Sequence, residues 1–414
     1  MRSAQRLLGD PRLMRLLKAL AASGGETRLV GGAVRDALLG LEPHEIDLAT
    51  TATPDRVVKA AESAGLKSAP TGIDHGTVTI IVEGTPFEVT TLREDVETFG
   101  RSARVRFGVD FEQDALRRDF TVNALSLSTD GRLHDYAGGL EDLVARRVRF
   151  IGDPATRIAE DYLRILRFFR FHAAIGEGAI DPAGLAATIA AREQLSLLSP
   201  ERLRAELLKL LVARRAADAV WLMAQTGVME VVIGACFPAR LERFVAIEQT
   251  ESGPYDALMR LGALAVLTRE DADRLRARLR LSNAEHLRLA RAAQALAEIR
   301  SAEAPPAAQD MTRQLFLYER RTAGDALALA HAESRAEPGD ICWRAARLFL
   351  RANAAPNFPV RSADLIAAGI APGPALGAAL KRLQALWIRA GFPRDPSIVK
   401  QLVATAVAAA SSQN

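Results

Sequence analysis

Between Arg28 and Thr53 the chain carries the pattern that most limits its fold. Leu29-Val30 leads into Gly31-Gly32, helical spacing runs from Ala33 to Leu39 and stops at Gly40, and Glu45-Ile46-Asp47-Leu48 then alternates acidic with apolar. This predicts a strand, a glycine turn, a helix and a second strand ending in two acidic residues. Residues without a β-carbon let the backbone take positive φ or approach a ligand closely. A helix starting after them offers unpaired N–H groups, and Arg35 adds a fixed positive charge, so Gly31, Gly32 and Arg35 suit an anion such as a triphosphate. The side-chain period of two puts Glu45 and Asp47 on one face of the second strand. Two such carboxylates repel each other unless a cation lies between them, and an oxygen-only pair suits Mg²⁺. Glu88, in Phe87-Glu88-Val89-Thr90, alternates in the same way. Three acids on neighbouring strands beside a glycine turn would form a two-metal phosphoryl-transfer site. Each piece alone has an ordinary reading as a turn or a solvated strand face; together they are far harder to assemble by accident.

The segment resembles the first motif of the class II tRNA nucleotidyltransferase and bacterial poly(A) polymerase family, within the polymerase-β-like nucleotidyltransferases. Val34-Arg35-Asp36, Leu38-Leu39-Gly40 and the acid-x-D-x-A-T run from Glu45 to Thr50 follow the glycine pair in the family's order. The family usually has Asp where Glu45 stands; glutamate still ligates a hard cation, with its oxygens displaced by one methylene. The resemblance implies that Glu45 and Asp47 hold Mg²⁺ and that Glu88 assists as ligand or base.

Residues 77 to 82 and 86 to 91 predict a hairpin around Glu83-Gly84. Residues 93 to 113 read as a long polar loop with several arginines, of the kind that is usually functional when it interrupts a compact domain. In the family a flexible loop here is implicated in switching from C to A addition. Arg117-Arg118-Asp119-Phe120-Thr121-Val122-Asn123-Ala124 is close to the family's RRDFTxNA. An adjacent Arg and Asp can bind triphosphate oxygens and a ribose hydroxyl, and the resemblance implies that Arg118 and Asp119 do so, with Asn123 supporting a strand-to-helix turn. His134 to Leu143 matches the family's D-x-x-G-G-x-x-D-L hinge, placing the end of the first domain near residue 150.

From Asp153 onward nearly all of the chain has helical period. One helix is expected from Asp153-Pro154 through Arg170, with Asp161 and Arg164 three apart and so on one face. An acceptor and a planar fork at that spacing can read a base edge: adenine and cytosine both offer an amino donor beside a ring-nitrogen acceptor, whereas guanine and uracil turn a carbonyl toward the carboxylate. Alone, such a pair is most often a surface ion pair; here Glu160-Asp161-Tyr162-Leu163-Arg164 resembles the family's EDxxR motif. The roles of Arg167 and Arg170 stay open. Ser199-Pro200 predicts a capped helix start, and Glu201-Arg202 with Glu206-Leu207 resembles the family's last motif, implying a bracing helix. Met1 to Ser23 reads as an amphipathic helix, Ser362-Ala363-Asp364-Leu365 as a cap, and Gly369 to Gly377 as a turn. Arginines between Asp273 and Arg300, Arg274 and Arg278 among them, form either an RNA-facing surface or a solvated helix face.

A chain of 414 residues, 49% hydrophobic and 25% charged, predicts two to four globular domains. Cys236 and Cys342 indicate neither a disulfide framework nor a zinc site. No apolar stretch approaches 18 residues and no signal-type segment opens the chain, so a cytoplasmic protein without membrane contact is expected. The net charge is +4, with a pI near 9.3, compatible with nucleic acid. The expected fold is α+β: a small mixed-sheet nucleotidyltransferase head (1–150), then all-helical neck (151–215), body and tail (216–414). The expected activity is Mg²⁺-dependent addition of CCA to the 3′ end of tRNA from CTP and ATP, by a monomer or homodimer. Poly(A) polymerase is the alternative, although no G-R-R-F-type match is present; a catalytically silent RNA-binding relative is the third reading.

Overall fold

The computed structural model describes residues 6–43, 45–69, 76–99, 102–107, 110–251, 256–300 and 303–411. The chain folds into two compact units, Met1–Val232 and Ile233–Asn414.

After helical residues Arg6 and Leu7, the first unit runs through helix α1 (Pro11–Ala21), β1 (Thr27–Val30), α2 (Gly32–Leu38), β2 (Asp47–Thr50), α3 (Pro54–Ser63), β3 (Lys67–Ala69), β4 (Thr77–Val82) and β5 (Thr85–Thr91). Next come β6 (Arg93–Phe99), β7 (Ser102–Phe107), α4 (Phe111–Leu116), a 3₁₀ turn at Thr121–Asn123, β8 (Ser126–Ser128), β9 (Leu133–His134) and α5 (Gly139–Val144). Among the described residues one sheet has seven strands in the order β3-β4-β5-β2-β1-β8-β9. β2 and β5 are parallel and the other neighbours antiparallel, so the sheet is mixed. Alternation divides its faces. Leu29, Leu48, Val78, Ile80, Phe87 and Val89 are buried on the side covered by α1 and α3. Asp47, Ala49, Glu88 and Thr90 share the other side through the pairings Asp47↔Glu88 and Ala49↔Thr90.

Several local expectations are corrected. Asp47 stands at the start of β2 and Glu45 lies before it, outside the strand, because the ladders to β1 and β5 bury Leu48, Ala49 and Thr50 and the pairing opens at Asp47. Of the helix expected from Met1 to Ser23, residues 1–5 lie outside the described residues; Arg6 and Leu7 are helical, the chain turns at Leu8-Gly9, and α1 starts afresh at Pro11, where Asp10 accepts from the Arg12 amide at 2.8 Å. Residues 93 to 113 contain a β6–β7 hairpin and α4 rather than a structureless loop. Val96 and Thr98 in one strand, and Ala103, Val105 and Phe107 in the other, recur every second residue, so strand preference prevails over polar composition. The Glu83-Gly84 hairpin is present, with positive φ at both turn residues.

After α5 the unit is helical: α6 (Pro154–Glu160), α7 (Arg164–Ile175), α8 (Pro182–Ala190), α9 (Pro200–Leu211), α10 (Ala216–Gln225) and α11 (Val228–Ile233), the last crossing the boundary. The single helix expected from Asp153 through Arg170 is two, since Asp161 is extended (φ −157°, ψ 106°) and its carboxylate accepts from the Leu163 amide at 3.1 Å. A side chain that bonds its own backbone two residues on competes with helix continuation. Ser199 stands at the start of α9 but makes no side-chain cap bond. α7 packs on the isolated Phe120–Phe150 bridge through its rings, with centroids 4.8 Å apart for Phe120–Phe150, 5.2 Å for Phe150–Phe168 and 5.4 Å for Phe120–Phe171.

The second unit is helical throughout its described residues: α12 (Pro238–Gln249), α13 (Ala257–Ala265), α14 (Arg269–Leu279), α15 (Asn283–Ala297), α16 (Ala308–Glu333), α17 (Ile341–Ala352), α18 (Ser362–Ala367), α19 (Pro374–Arg389) and α20 (Pro396–Ser411). Its last three helices enclose a core around Leu365, Ala379, Leu383 and Ala406. Within the expected Ser362–Leu365 cap the bond is made by Asp364, which reaches back to the Arg361 amide at 2.8 Å. Gly377 lies inside α19, so the expected turn ends at Gly373. Among the described residues no helix is long and apolar enough to cross a membrane.

Phe168 is fully buried between the sheet-end rings and its own helix. Phe168→Ala should cost about 3–5 kcal/mol, the usual penalty for deleting a buried ring, read as a lower urea midpoint of the unit containing the sheet.

Candidate active site

The end of β1 and the start of β2 meet at one end of the sheet because the strands run antiparallel, with Leu29 opposite Leu48. The glycine turn that follows Val30 therefore lies beside Asp47. Gly31 takes φ 68° and ψ −128°, a region L-residues avoid. Its space is also claimed: Nη1 of Arg118 stands 2.8 Å from where a β-carbon would be. The Gly31 amide donates to the Leu125 carbonyl at 3.2 Å, so this N–H is not open to a ligand. Gly32 begins α2.

Asp47 and Glu88 are direct partners in the parallel ladder and therefore share one face. Glu45 precedes the strand and lines a cavity of about 560 Å³ together with Arg12, Leu41, Ile46 and Phe87. Asp47 keeps accessible surface, yet its surroundings hold its pKa above the ordinary carboxylate value. Burial contributes most, followed by repulsion from Glu88 and Glu45, while Arg118 pulls the other way. Among the described residues no three acidic, histidine or cysteine groups are gathered closely enough to hold a metal by themselves. A magnesium site in phosphoryl transfer commonly uses one or two carboxylates and completes its shell with substrate phosphates and water, and crowded, unfavourably charged Asp47 fits that donor set.

The RRDF segment builds the opposite wall. Asn123 is its centre: Oδ1 accepts from Arg35 Nη1 at 2.7 Å, Nδ2 donates to Asp119 Oδ1 at 3.1 Å, and its carbonyl accepts from Arg118 Nη1 at 3.3 Å. Arg35 also donates to Asp36 at 2.8 Å and lies over the Phe171 ring with its Cζ 4.9 Å from the centroid. Asp119 is buried. Its Oδ1 also accepts from the Phe120 amide at 2.9 Å, and its Oδ2 accepts from Arg167 Nε at 2.7 Å. At the turn about a quarter of the Arg118 side chain is exposed, against 12% for Arg35.

Asp161 and Arg164 lie at the break between α6 and α7. Asp161 receives Arg202 Nη2 at 3.0 Å on Oδ1 and 2.7 Å on Oδ2. Arg164 donates through Nη1 to the Arg157 carbonyl at 2.8 Å and pairs with Glu160. A carboxylate offers about four acceptor positions and a guanidinium five N–H donors. Arg202 and the Leu163 amide use three positions on Asp161, while Nε and Nη2 of Arg164 are not needed for these bonds. Both side chains thus retain hydrogen-bonding capacity after their internal contacts.

Arg274 and Arg278 are in the second unit. Arg274 is turned to its own fold, donating to the Ala265 carbonyl at 3.0 Å and to Asp271 at 2.5 Å. Arg278 packs its Cζ 3.6 Å from the β-carbon position of Gly234. Sequence reasoning passed over Arg167 as a partner of Asp119 and over Asp114, which holds Arg117 and Arg118. The three- and four-residue spacings from Asp114 were the available signal.

The fold and these motifs define a template-independent nucleotidyltransferase architecture. Residues 27–149 match the model of the Poly A polymerase head domain, and residues 179–236 match one described as a probable RNA and SrmB-binding site of polymerase A. The chain is 34% identical over 389 residues to mitochondrial CCA tRNA nucleotidyltransferase 1 of Homo sapiens, covering 92% of this chain and 87% of that one. It is 32% identical over 374 residues to the CCA-adding enzyme of Limosilactobacillus fermentum, covering 89% and 90%. The crystal structure of the Bacillus stearothermophilus CCA-adding enzyme in complex with CTP superposes with a TM-score of 0.75 at 27% identity, covering 95% of this chain and 96% of that one. The chain belongs to the class II CCA-adding tRNA nucleotidyltransferase and poly(A) polymerase family.

The raised pKa of Asp47 has a definite sign in stability. The folded state holds this proton more tightly than the unfolded chain, so stability falls as pH rises from the ordinary carboxylate value through the raised one, and the ionised form is a net cost at neutral pH. Asp47→Asn should therefore raise the melting temperature of metal-free protein at pH 7 and have less effect near pH 4. Added Mg²⁺ should stabilise the wild type more than the variant in the same thermal scans.

Proposed function

We propose that this chain adds CCA to the 3′ end of tRNA, using CTP and ATP and releasing pyrophosphate. The observation that carries the reading is the in-register pair Asp47–Glu88 beside a glycine turn over which Arg118 is fixed. Near-full-length similarity to CCA-adding enzymes supports tRNA as the acceptor. Asp47 together with Glu45 or Glu88 would hold Mg²⁺, which when bound supplies charge neutralisation for the triphosphate and the entering 3′-hydroxyl. Arg118 would receive phosphate oxygens. Gly31 keeps the space that Arg118 enters, and Gly32 starts the helix that carries Arg35. Arg35, Asn123 and Asp119 hold the turn and α7 in register, so contact of Asp119 with a ribose hydroxyl would require one of its internal bonds to open. The acceptor RNA hydroxyl attacks the α-phosphate in line with the leaving pyrophosphate, and the carboxylates on the sheet face orient that approach.

Base choice is assigned to Asp161 and Arg164. The open acceptor position on Asp161 would take the amino hydrogen of cytosine or adenine, and the open N–H groups of Arg164 would meet the adjacent ring nitrogen. Arg274 and Arg278 contribute to RNA binding in this reading only by shaping the helices that carry them. The functional division is a catalytic head to about residue 150, a base-selecting neck to 215 and a tRNA-binding remainder, working in the cytoplasm.

Purified protein incubated with tRNA transcripts that end before CCA, with Mg²⁺, CTP and ATP, should yield 3′ ends that stop at CCA on sequencing. Long A tails would instead identify a poly(A) polymerase, and unchanged ends a catalytically silent protein. Asp47→Ala should lower incorporation by about 10³-fold, the loss of several kcal/mol of transition-state stabilisation, with tRNA binding nearly intact. In the same assay Asp161→Ala should admit GTP or UTP; unchanged base choice with a collapsed rate would remove the edge-reading assignment.

A further inference from the structure

Asp114 lies in α4, three and four residues before Arg117 and Arg118, and its side chain is 4% exposed. Oδ1 accepts from Arg117 Nε at 2.9 Å, with Nη2 of Arg117 also in contact. Oδ2 accepts from Arg118 Nε at 3.2 Å and Nη2 at 3.0 Å. One buried carboxylate therefore grips two guanidiniums, and on Arg118 it takes the Nε–Nη2 edge. The remaining nitrogen, Nη1, is the atom that reaches over Gly31 and donates to the Asn123 carbonyl. A guanidinium is a rigid plane, so fixing one edge fixes the direction of the other.

We infer that Asp114 is the positioning residue for nucleoside triphosphate binding, setting the orientation in which Arg118 meets the polyphosphate at the Gly31 turn. The inference rests on the assignment of Arg118 to the triphosphate. Three features of the molecule support it. The Asp114 carboxylate is nearly inaccessible, so it cannot serve the substrate directly. The Arg118 side chain, in contrast, is partly open and acts electrostatically on Asp47. The pair is also held in its charged form: burial pushes the Asp114 carboxyl up, and Arg118 followed by Arg117 more than offsets this, so the net displacement is below the ordinary carboxylate value. An arginine left without this partner would sweep several rotamers before reaching phosphate, and a long side chain pays for that freedom when it is immobilised.

The test is a double-mutant cycle on full-length protein with Asp114→Asn, Arg118→Ala and the pair together, reading KM and kcat for CTP and ATP on tRNA ending before CCA. Asp114→Asn should raise KM about 10-fold for both nucleotides with kcat changed less, a shift of about 1.4 kcal/mol in binding, and base choice should not change. In the Arg118→Ala background the same substitution should add little, because coupled residues are non-additive. Asp114→Glu should restore part of the loss. Circular dichroism and melting curves of each variant separate misfolding from mispositioning, and the single variant Arg117→Ala, which leaves the Asp114–Arg118 contact in place, should keep KM within about 2-fold of wild type if bystander effects are as small as for other surface changes. Equal KM effects of Asp114→Asn with and without Arg118 would overturn the inference. An unchanged KM in Arg118→Ala would instead remove the phosphate assignment on which it rests, a result distinct from failure of the Asp114 role alone.

Discussion

Two negative charges held in register on one side of a sheet are the constraint around which the first unit is arranged. The parallel pairing of β2 with β5 leaves Asp47 and Glu88 no freedom to separate along the strands, and Glu45 adds to the repulsion. Such an arrangement costs stability in the absence of a cation, and the surrounding structure supplies the compensation. Leu48 and Val89 bury the reverse face of the same two strands, while Arg118 offers positive charge from the adjoining segment. The site thus stores unfavourable electrostatics on a well-packed base, which is how rigid elements keep a functional constellation in place.

Much of this was legible in the sequence. Leu29-Val30 before two glycines and the Glu83-Gly84 turn each carry a local signal and appear where that signal places them, while the alternation about Asp47 locates a strand but misplaces its start, which leaves Glu45 outside it. What escaped was structure determined by competition between local signals. Ile158, Leu166 and Phe169 keep helical period across Asp161, so periodicity alone continues the helix; the Asp161 side chain ends it by bonding the Leu163 amide. The residues from 93 to 107 are too polar to announce a hairpin, although their spacing is that of strands.

The site residues divide in the same manner. Asp47 and Glu88 are recognisable from spacing because a strand maps sequence parity directly onto a face. The partners of Asp119 and Asp161 are 48 and 41 positions away, at Arg167 and Arg202, and no local pattern specifies such pairs. Arg274 illustrates the converse: an arginine in a basic helical run invites an RNA reading, while its guanidinium is directed to the Ala265 carbonyl and Asp271. Long cationic side chains often finish backbone ends of their own fold before they meet a ligand.

Asn123 and Asp119 form a short polar strut from α2, through Arg35, to α7, through Arg167. Beside it the rings of Phe120, Phe150, Phe168 and Phe171 fill the same junction. A junction that is both hydrogen-bonded and aromatic resists shear, so α2 and α7 are coupled through it. The Asp161 break lies just ahead of the first turn of α7, which carries Arg167 on the α7 side of this strut, so the Leu163 amide and Arg202 fix its extended backbone against a helix that is itself tied to α2.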